Sequence, residues 1–245
     1  MKDVMIDLET LGKNKNAPIA SIGAVFFEPE TGELGEKFYC RVDFENDMKN
    51  GAIPDGGTIK WWLKQSPEAR AELVSDDAIP IWDAVNKFSD WLTDNADDLN
   101  IVNIWASSPS FDCVILSAAF ERAETDIPWK YWNECDVRTM KFIGRLLGVD
   151  LRLFTGTVAH HALSDAVNQA GLVSAVLRAL AIPSTAASMV PDGIARELMV
   201  RGVDRLGAYI VSMGYPYDDD WAMLAKCVDS FIKQTRPVTP EGGAQ

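Results

Sequence analysis

The opening run Val4-Met5-Ile6-Asp7-Leu8-Glu9-Thr10 constrains this chain more than any other segment, because before Thr10 it is apolar except at two acids set two positions apart. A short apolar run of this kind reads as a buried strand. Side chains along a strand alternate faces, so Asp7 and Glu9 project from the same side. Two like charges held that close repel, and a buried carboxylate without a partner is costly. Either the strand end opens both groups to water, or a divalent cation holds them; hard oxygen donors suit Mg²⁺ or Mn²⁺.

Two further segments carry acids next to predicted strand and helix ends. Ile101 to Ala106 reads as a strand, the polar loop Ser107-Ser108-Pro109-Ser110 follows, and Phe111-Asp112 opens an apolar helical run through Phe120. Asp112 is thus either an ordinary acid of a first helical turn, favoured by the helix dipole, or a group facing a cleft. In Val158-Ala159-His160-His161-Ala162-Leu163-Ser164-Asp165 the only two histidines of the chain stand together. Apolar residues at Leu163, Ala166, Val167, Ala170, Val173, Val176 and Leu177 form a stripe at helical spacing, which places Asp165 in the first turns of a long helix. The histidine pair is either two exposed loop imidazoles or the source of a general base working near neutral pH.

Taken together, these residues resemble the DEDD exonucleases, in the DEDDh subgroup whose last motif is H-x-x-x-x-D, with ribonuclease T-like and exonuclease VIII-like phage or prophage enzymes the nearest in character. Asp7-Leu8-Glu9-Thr10 matches the first motif, Phe111-Asp112 the second, and His160 to Asp165 the third, in the family's order. The resemblance implies a metal-dependent 3′-5′ exonuclease that hydrolyses phosphodiester bonds at single-stranded 3′ ends of RNA or DNA and releases nucleoside 5′-monophosphates. Its catalytic residues would be Asp7, Glu9, Asp112, His160 and Asp165. Two Mg²⁺ (or Mn²⁺) ions would sit on the four acids, with Asp7 shared between them and Asp112 supporting the second directly or through water; such ion pairs clamp a scissile phosphate. His160, at the family spacing, would take the proton of the attacking water, with His161 secondary. The loop at 150–158 before it would deliver that base as substrate closes the site. Thr10, Leu11, Trp61, Trp62, Gln65 and Phe111 would line the path of the terminal nucleotides.

Charge bears on that expectation. With 23 Lys plus Arg against 36 Asp plus Glu, the net charge is −13, awkward for a protein that neutralises a long polyanion. A small site for one or two nucleotides escapes the difficulty, since bound cations supply local positive charge. Basic residues gather in two places: Lys60, Lys64 and Arg70 around Trp61-Trp62, and Lys130, Arg138, Lys141, Arg145 and Arg152. Cations mixed with aromatics suit unpaired bases, although tryptophan also serves ordinary cores. The two adjacent tryptophans point different ways on any regular element, so at most one belongs to the core.

The element pattern predicts strands at 4–8, 19–27 and 37–42 as an antiparallel meander, helices at 68–73 and 81–92, a strand at 101–106, a helix from 112, a strand at 133–136, and helices at 139–147 and after 160. Meander followed by β-α-β-α is the order of an α/β, ribonuclease H-like mixed sheet with flanking helices. Exonuclease domain is expected over 1–183, a small helical C-terminal extension over 184–234, and a disordered tail over 235–245, rich in Pro and Gly. The extension could serve as a contact between two copies, a homodimer. No stretch reaches ~18 uninterrupted apolar residues, so no membrane association and a cytoplasmic location, the host's if phage-encoded, are expected. Cys40, Cys113, Cys135 and Cys227 are widely separated and form no C-x-x-C, which argues against structural zinc and a disulfide framework.

Rival readings remain open at this level. An aspartyl-nucleophile phosphatase needs D-x-D-x-T, whereas the second acid is Glu9, and it leaves His160 unused. A catalytically idle nucleic-acid-binding or scaffold protein on the same fold would lack a carboxylate, and all four are present. A polymerase-associated proofreading subunit would use residues 184–245 to dock.

Overall fold

In a computed structural model of the chain, residues 1–154 and 160–181 are described. Five strands form one mixed sheet in the order β3-β2-β1-β4-β5. β1 (Asp3–Thr10), β2 (Ile19–Phe27) and β3 (Leu34–Arg41) make the antiparallel meander. β4 (Asn103–Ala106) and β5 (Glu134–Asp136) then add parallel to β1. This is the ribonuclease H-like α/β sheet that the element order implies.

Alternation along β1 divides the interior. Val4, Ile6 and Leu8 face one layer, where they meet Val85 and Phe88 of α4 (Ile81–Asn95) and Leu116 and Phe120 of α5 (Asp112–Arg122). Met5 faces the other, against Val137 and Met140 of α6 (Val137–Leu146) and Ala166, Ala170 and Val173 of α7 (Ala162–Ala181). Asp7 and Glu9 continue the Met5 side, so they point toward α7. That consequence follows from a period of two and a sheet covered on both faces.

Gly23 explains how closely α7 can approach. It pairs with Asp7 across β1 and β2. A Cβ at this position would fall inside the backbone of Ala162 and Leu163. Only hydrogen here lets the first turn of α7 rest directly on β2, one strand away from Asp7.

Three short helices connect β3 to α4: α1 (Phe44–Lys49), α2 (Gly56–Trp62) and α3 (Pro67–Ala71). α1 is locked by a buried ion pair in which Arg122 Nε and Nη2 each donate at 3.0 Å to the fully buried Asp47, which also accepts the Ile19 N–H at 3.2 Å. α2 is pinned to the end of β1 by Trp62, whose Nε1 donates to Thr10 O at 2.9 Å. Its start is capped by Asp55, which accepts from the Gly57 and Thr58 amides.

The expected bounds shift at several element ends, β1, α3, α4 and α6 among them. β3 begins at Leu34 rather than 37, because its first residues form a half-exposed stretch without apolar alternation. The strand expected from 101 begins at Asn103, since Ile101 is 52% exposed and its N–H closes a turn onto Asp98 O. Leu151–Phe154, within the predicted loop, forms a 3₁₀ turn; residues 155–159, and the extension and tail at 184–245, lie outside the described residues. Among the described residues no helix is long and apolar enough to cross a membrane.

Candidate active site

The four acids arrive from three pieces of the fold. β1 carries Asp7 and Glu9, the first turn of α7 carries Asp165, and Asp112 begins α5 just past the end of β4. Carboxylate oxygens of Asp7, Glu9 and Asp165 all lie within 4.8 Å of one another. Asp112, 3% exposed, lines the same pocket, about 720 Å³ in volume, with His160, Thr10, Trp61, Trp62 and Phe111. Asp112 is not a helix cap: the capping position belongs to Phe111, which makes no capping bond, and the buried Asp112 carboxylate lines the pocket, where the Leu8 backbone amide favours its charged form.

Electrostatics mark the pocket as crowded with negative charge. Burial first, then the charges of Asp112, Glu9 and Asp165, lift Asp7 well above the ordinary carboxylate range, partly offset by a hydrogen bond from Gln169. Glu9 is pushed up to about 8 by burial, with Asp165, Asp112 and Glu72 adding to it. Burial also raises Asp112 and Asp165; backbone amides and Arg138 oppose it at the first, and His160 and His161 at the second. Acids arranged like this cannot all ionise unless a cation joins them. Three convergent hard oxygen donors with a fourth in the same pocket fit a divalent ion, and the donor set excludes soft-metal preference.

His160 sits at φ +63°, in the left-handed region that histidine tolerates better than most residues. It lies close enough to Asp165 to favour that carboxylate's charged form, and its ring stands edge-on to Trp61 and Trp62 at centroid distances of 4.7 and 6.0 Å. His161 turns away: it stacks on Tyr39 at 4.4 Å, and its Nδ1 accepts the Ser164 amide. Of the two imidazoles, His160 is the one that lines the pocket.

The predicted nucleotide-contacting residues separate into two groups. Thr10, Trp61, Trp62 and Phe111 line the pocket. Trp62 is core, 2% exposed, whereas Trp61 is 42% exposed, the division expected of adjacent residues. Leu11 and Gln65 are not brought into the pocket. Leu11 packs with Trp62 and Ala69 beneath α2, and the Gln65 amide donates to Trp61 O at 3.0 Å as a helix-end bond. Pocket residues that the motifs do not announce include Lys13, Ser107, Arg138 and Gln169. Of these, Gln169 carries a readable signal, since it lies four positions after Asp165 and shares its helix face.

Comparison with known proteins agrees with this geometry. The family model for the 3′-5′ exoribonuclease Rv2179c-like domain matches residues 2–177. The exodeoxyribonuclease of Enterobacteria phage T4 is 27% identical over 205 residues, 73% of this chain and 90% of the phage protein. E. coli exonuclease I in complex with a dT13 oligonucleotide aligns with a TM-score of 0.51 at 17% identity, over 71% of this chain and 40% of that chain. The likeness to exonuclease I therefore spans less than half of that enzyme's length. The nuclease domain of 3′hExo, a DEDDh family member bound to rAMP, aligns with a TM-score of 0.50 at 14% identity, over 72% of this chain and 91% of its own.

Sheet, motifs and matches together define a DEDDh-type 3′-5′ exonuclease. More particularly, the chain belongs to the Rv2179c-like 3′-5′ exoribonuclease domain family.

Proposed function

We propose that the enzyme removes nucleotides one at a time from single-stranded 3′ ends and releases nucleoside 5′-monophosphates, with Asp7, Glu9, Asp112 and Asp165 holding two Mg²⁺ or Mn²⁺ ions and His160 as the general base. The observation that carries this reading is the convergence of the Asp7, Glu9 and Asp165 oxygens within 4.8 Å, in the pocket that also holds Asp112 and His160. When bound, divalent ions would neutralise the acids and stabilise the charge that grows on the phosphate.

The chain's own groups supply the rest. His160 accepts the proton as the water oxygen bonds to phosphorus and the bond from phosphorus to the 3′ oxygen breaks. Trp61 and Trp62 fix the orientation of that imidazole, and the exposed part of Trp61 offers a face for the terminal base. Lys13 and Arg138, lining the same pocket, are placed to meet phosphate oxygens. Both polymers are proposed as substrates, since the family description names an exoribonuclease and the phage relative is an exodeoxyribonuclease. The catalytic body is assigned to residues 1–183, with 184–234 and 235–245 as its appendages.

The test is a 5′-labelled single-stranded RNA and its DNA counterpart incubated with the full chain and Mg²⁺, Mn²⁺ or chelator. Ladders that shorten from the 3′ end with metal, and stay intact with chelator or with Asp112→Ala, support the reading. Cleavage by Asp112→Ala at the parental rate removes Asp112 from the site.

A further inference from the structure

Gln169 has no place in the motifs that identify the family, yet it touches the acid at the centre of the pocket. It stands on α7 one turn beyond Asp165, and its Nε2 donates to Asp7 Oδ1 at 2.7 Å. Only the NH₂ end of an amide can donate to a carboxylate, which fixes the direction of the side chain and leaves Oε1 on the other side. That oxygen is buried and has no hydrogen-bond partner among the described residues. An unsatisfied buried acceptor is costly, and methionine would fill the same space on a helix without that cost.

We infer that Gln169 is a positioning residue of the metal site: its amide N–H₂ holds Asp7 in the orientation that binds the ion, and its Oε1 accepts a hydrogen bond from a water or hydroxyl that enters with metal or substrate. One helix then delivers both a ligand, Asp165, and the group that aims a ligand on the neighbouring strand. Groups that orient metal ligands from behind commonly govern affinity by 10- to 100-fold. This inference rests on the proposed metal-dependent hydrolysis.

Gln169→Met and Gln169→Ala in the full chain test it, with Mn²⁺ binding followed by calorimetric titration and activity measured on a single-stranded oligonucleotide. Expected for Gln169→Met are a chelator-treated melting temperature at or above the parental one, Mn²⁺ affinity weaker by about 10- to 100-fold, and a lower kcat with an unchanged oligonucleotide KM. Gln169→Ala, which removes the amide without adding bulk, should show the same loss of Mn²⁺ affinity. Parental Mn²⁺ affinity in a folded variant of either kind overturns the assignment and reduces the bond to a structural one. A parent that degrades nucleic acid at full rate without any metal overturns instead the metal-dependent reading on which it rests, so the two failures are told apart.

Discussion

Replacing Glu9 by Gln should strengthen the metal-free protein while destroying the enzyme. Glu9 is 9% exposed and is displaced from 4.5 to about 8, chiefly by burial and then by Asp165, Asp112 and Glu72. Between those two values the folded state keeps a proton that the unfolded state has released. Acid therefore favours folding, and the stability is lost as pH rises through that window. The full displacement, 3.5 pH units at about 1.36 kcal/mol each, sets a ceiling of about 5 kcal/mol. Water entering the open pocket lowers the effective cost to about 1–3 kcal/mol, or about 2–12 °C in melting temperature for a domain of this size. Thermal unfolding in chelator, near pH 5 and near pH 8.5, reads this directly. Glu9→Gln should melt above the parent at the higher pH, with the gap closing at the lower one. Added Mg²⁺ should raise the parent and leave the variant nearly unchanged. A variant that melts below the parent near pH 8.5, or a gap of equal size at both pH values, refutes the argument that crowded carboxylates are relieved by protonation or metal.

Three other substitutions test separate parts of the account. Gly23→Ala drives a methyl into the backbone of Ala162 and Leu163, so α7 must move and take Asp165 with it; a stability loss of about 1–3 kcal/mol and a fall in kcat of about 100-fold are expected, measured by denaturant titration and single-turnover kinetics. Arg122→Leu strands the fully buried Asp47 and should cost about 3–5 kcal/mol near neutral pH, seen as a lower urea midpoint with an unchanged slope. His160→Ala should lower kcat by about 10²- to 10⁴-fold, whereas His161→Ala, which removes the stack on Tyr39 and the acceptor of the Ser164 amide, should act mainly on stability; the opposite ranking reassigns the base.

How far the sequence speaks depends on the length scale of each signal. β2 is readable to the residue because all nine of its positions are buried and turn signals bound it. The D-x-E pair, the start of α5 and the histidine at family spacing are legible because each joins a local pattern to a chemical type. α1 and α2, at six and seven residues, are too short for a hydrophobic period to register. Composition alone therefore hides the helix that presents Trp61 and holds Trp62 beneath it. Gly23 escapes for another reason, since its role depends on the contact between β2 and α7 that no single segment encodes; for Gln169 the i+4 spacing from Asp165 gives its helix face, but not its bond to Asp7 on β1. Leu11 lies between the pocket residues Thr10 and Gly12, but a one-residue step turns a side chain to another face, and Gln65 stands three residues beyond Trp62, past the end of α2.

The central claim, that the four acids are a cation site, is tested most directly by diffraction from crystals soaked in Mn²⁺ at an energy where manganese scatters anomalously. The account predicts strong peaks bound by Asp7, Glu9 and Asp165 at about 2.1–2.2 Å, with a second site toward Asp112 about 3.5–4 Å from the first. Strong peaks elsewhere on the protein, with the pocket empty at saturating Mn²⁺, would contradict it.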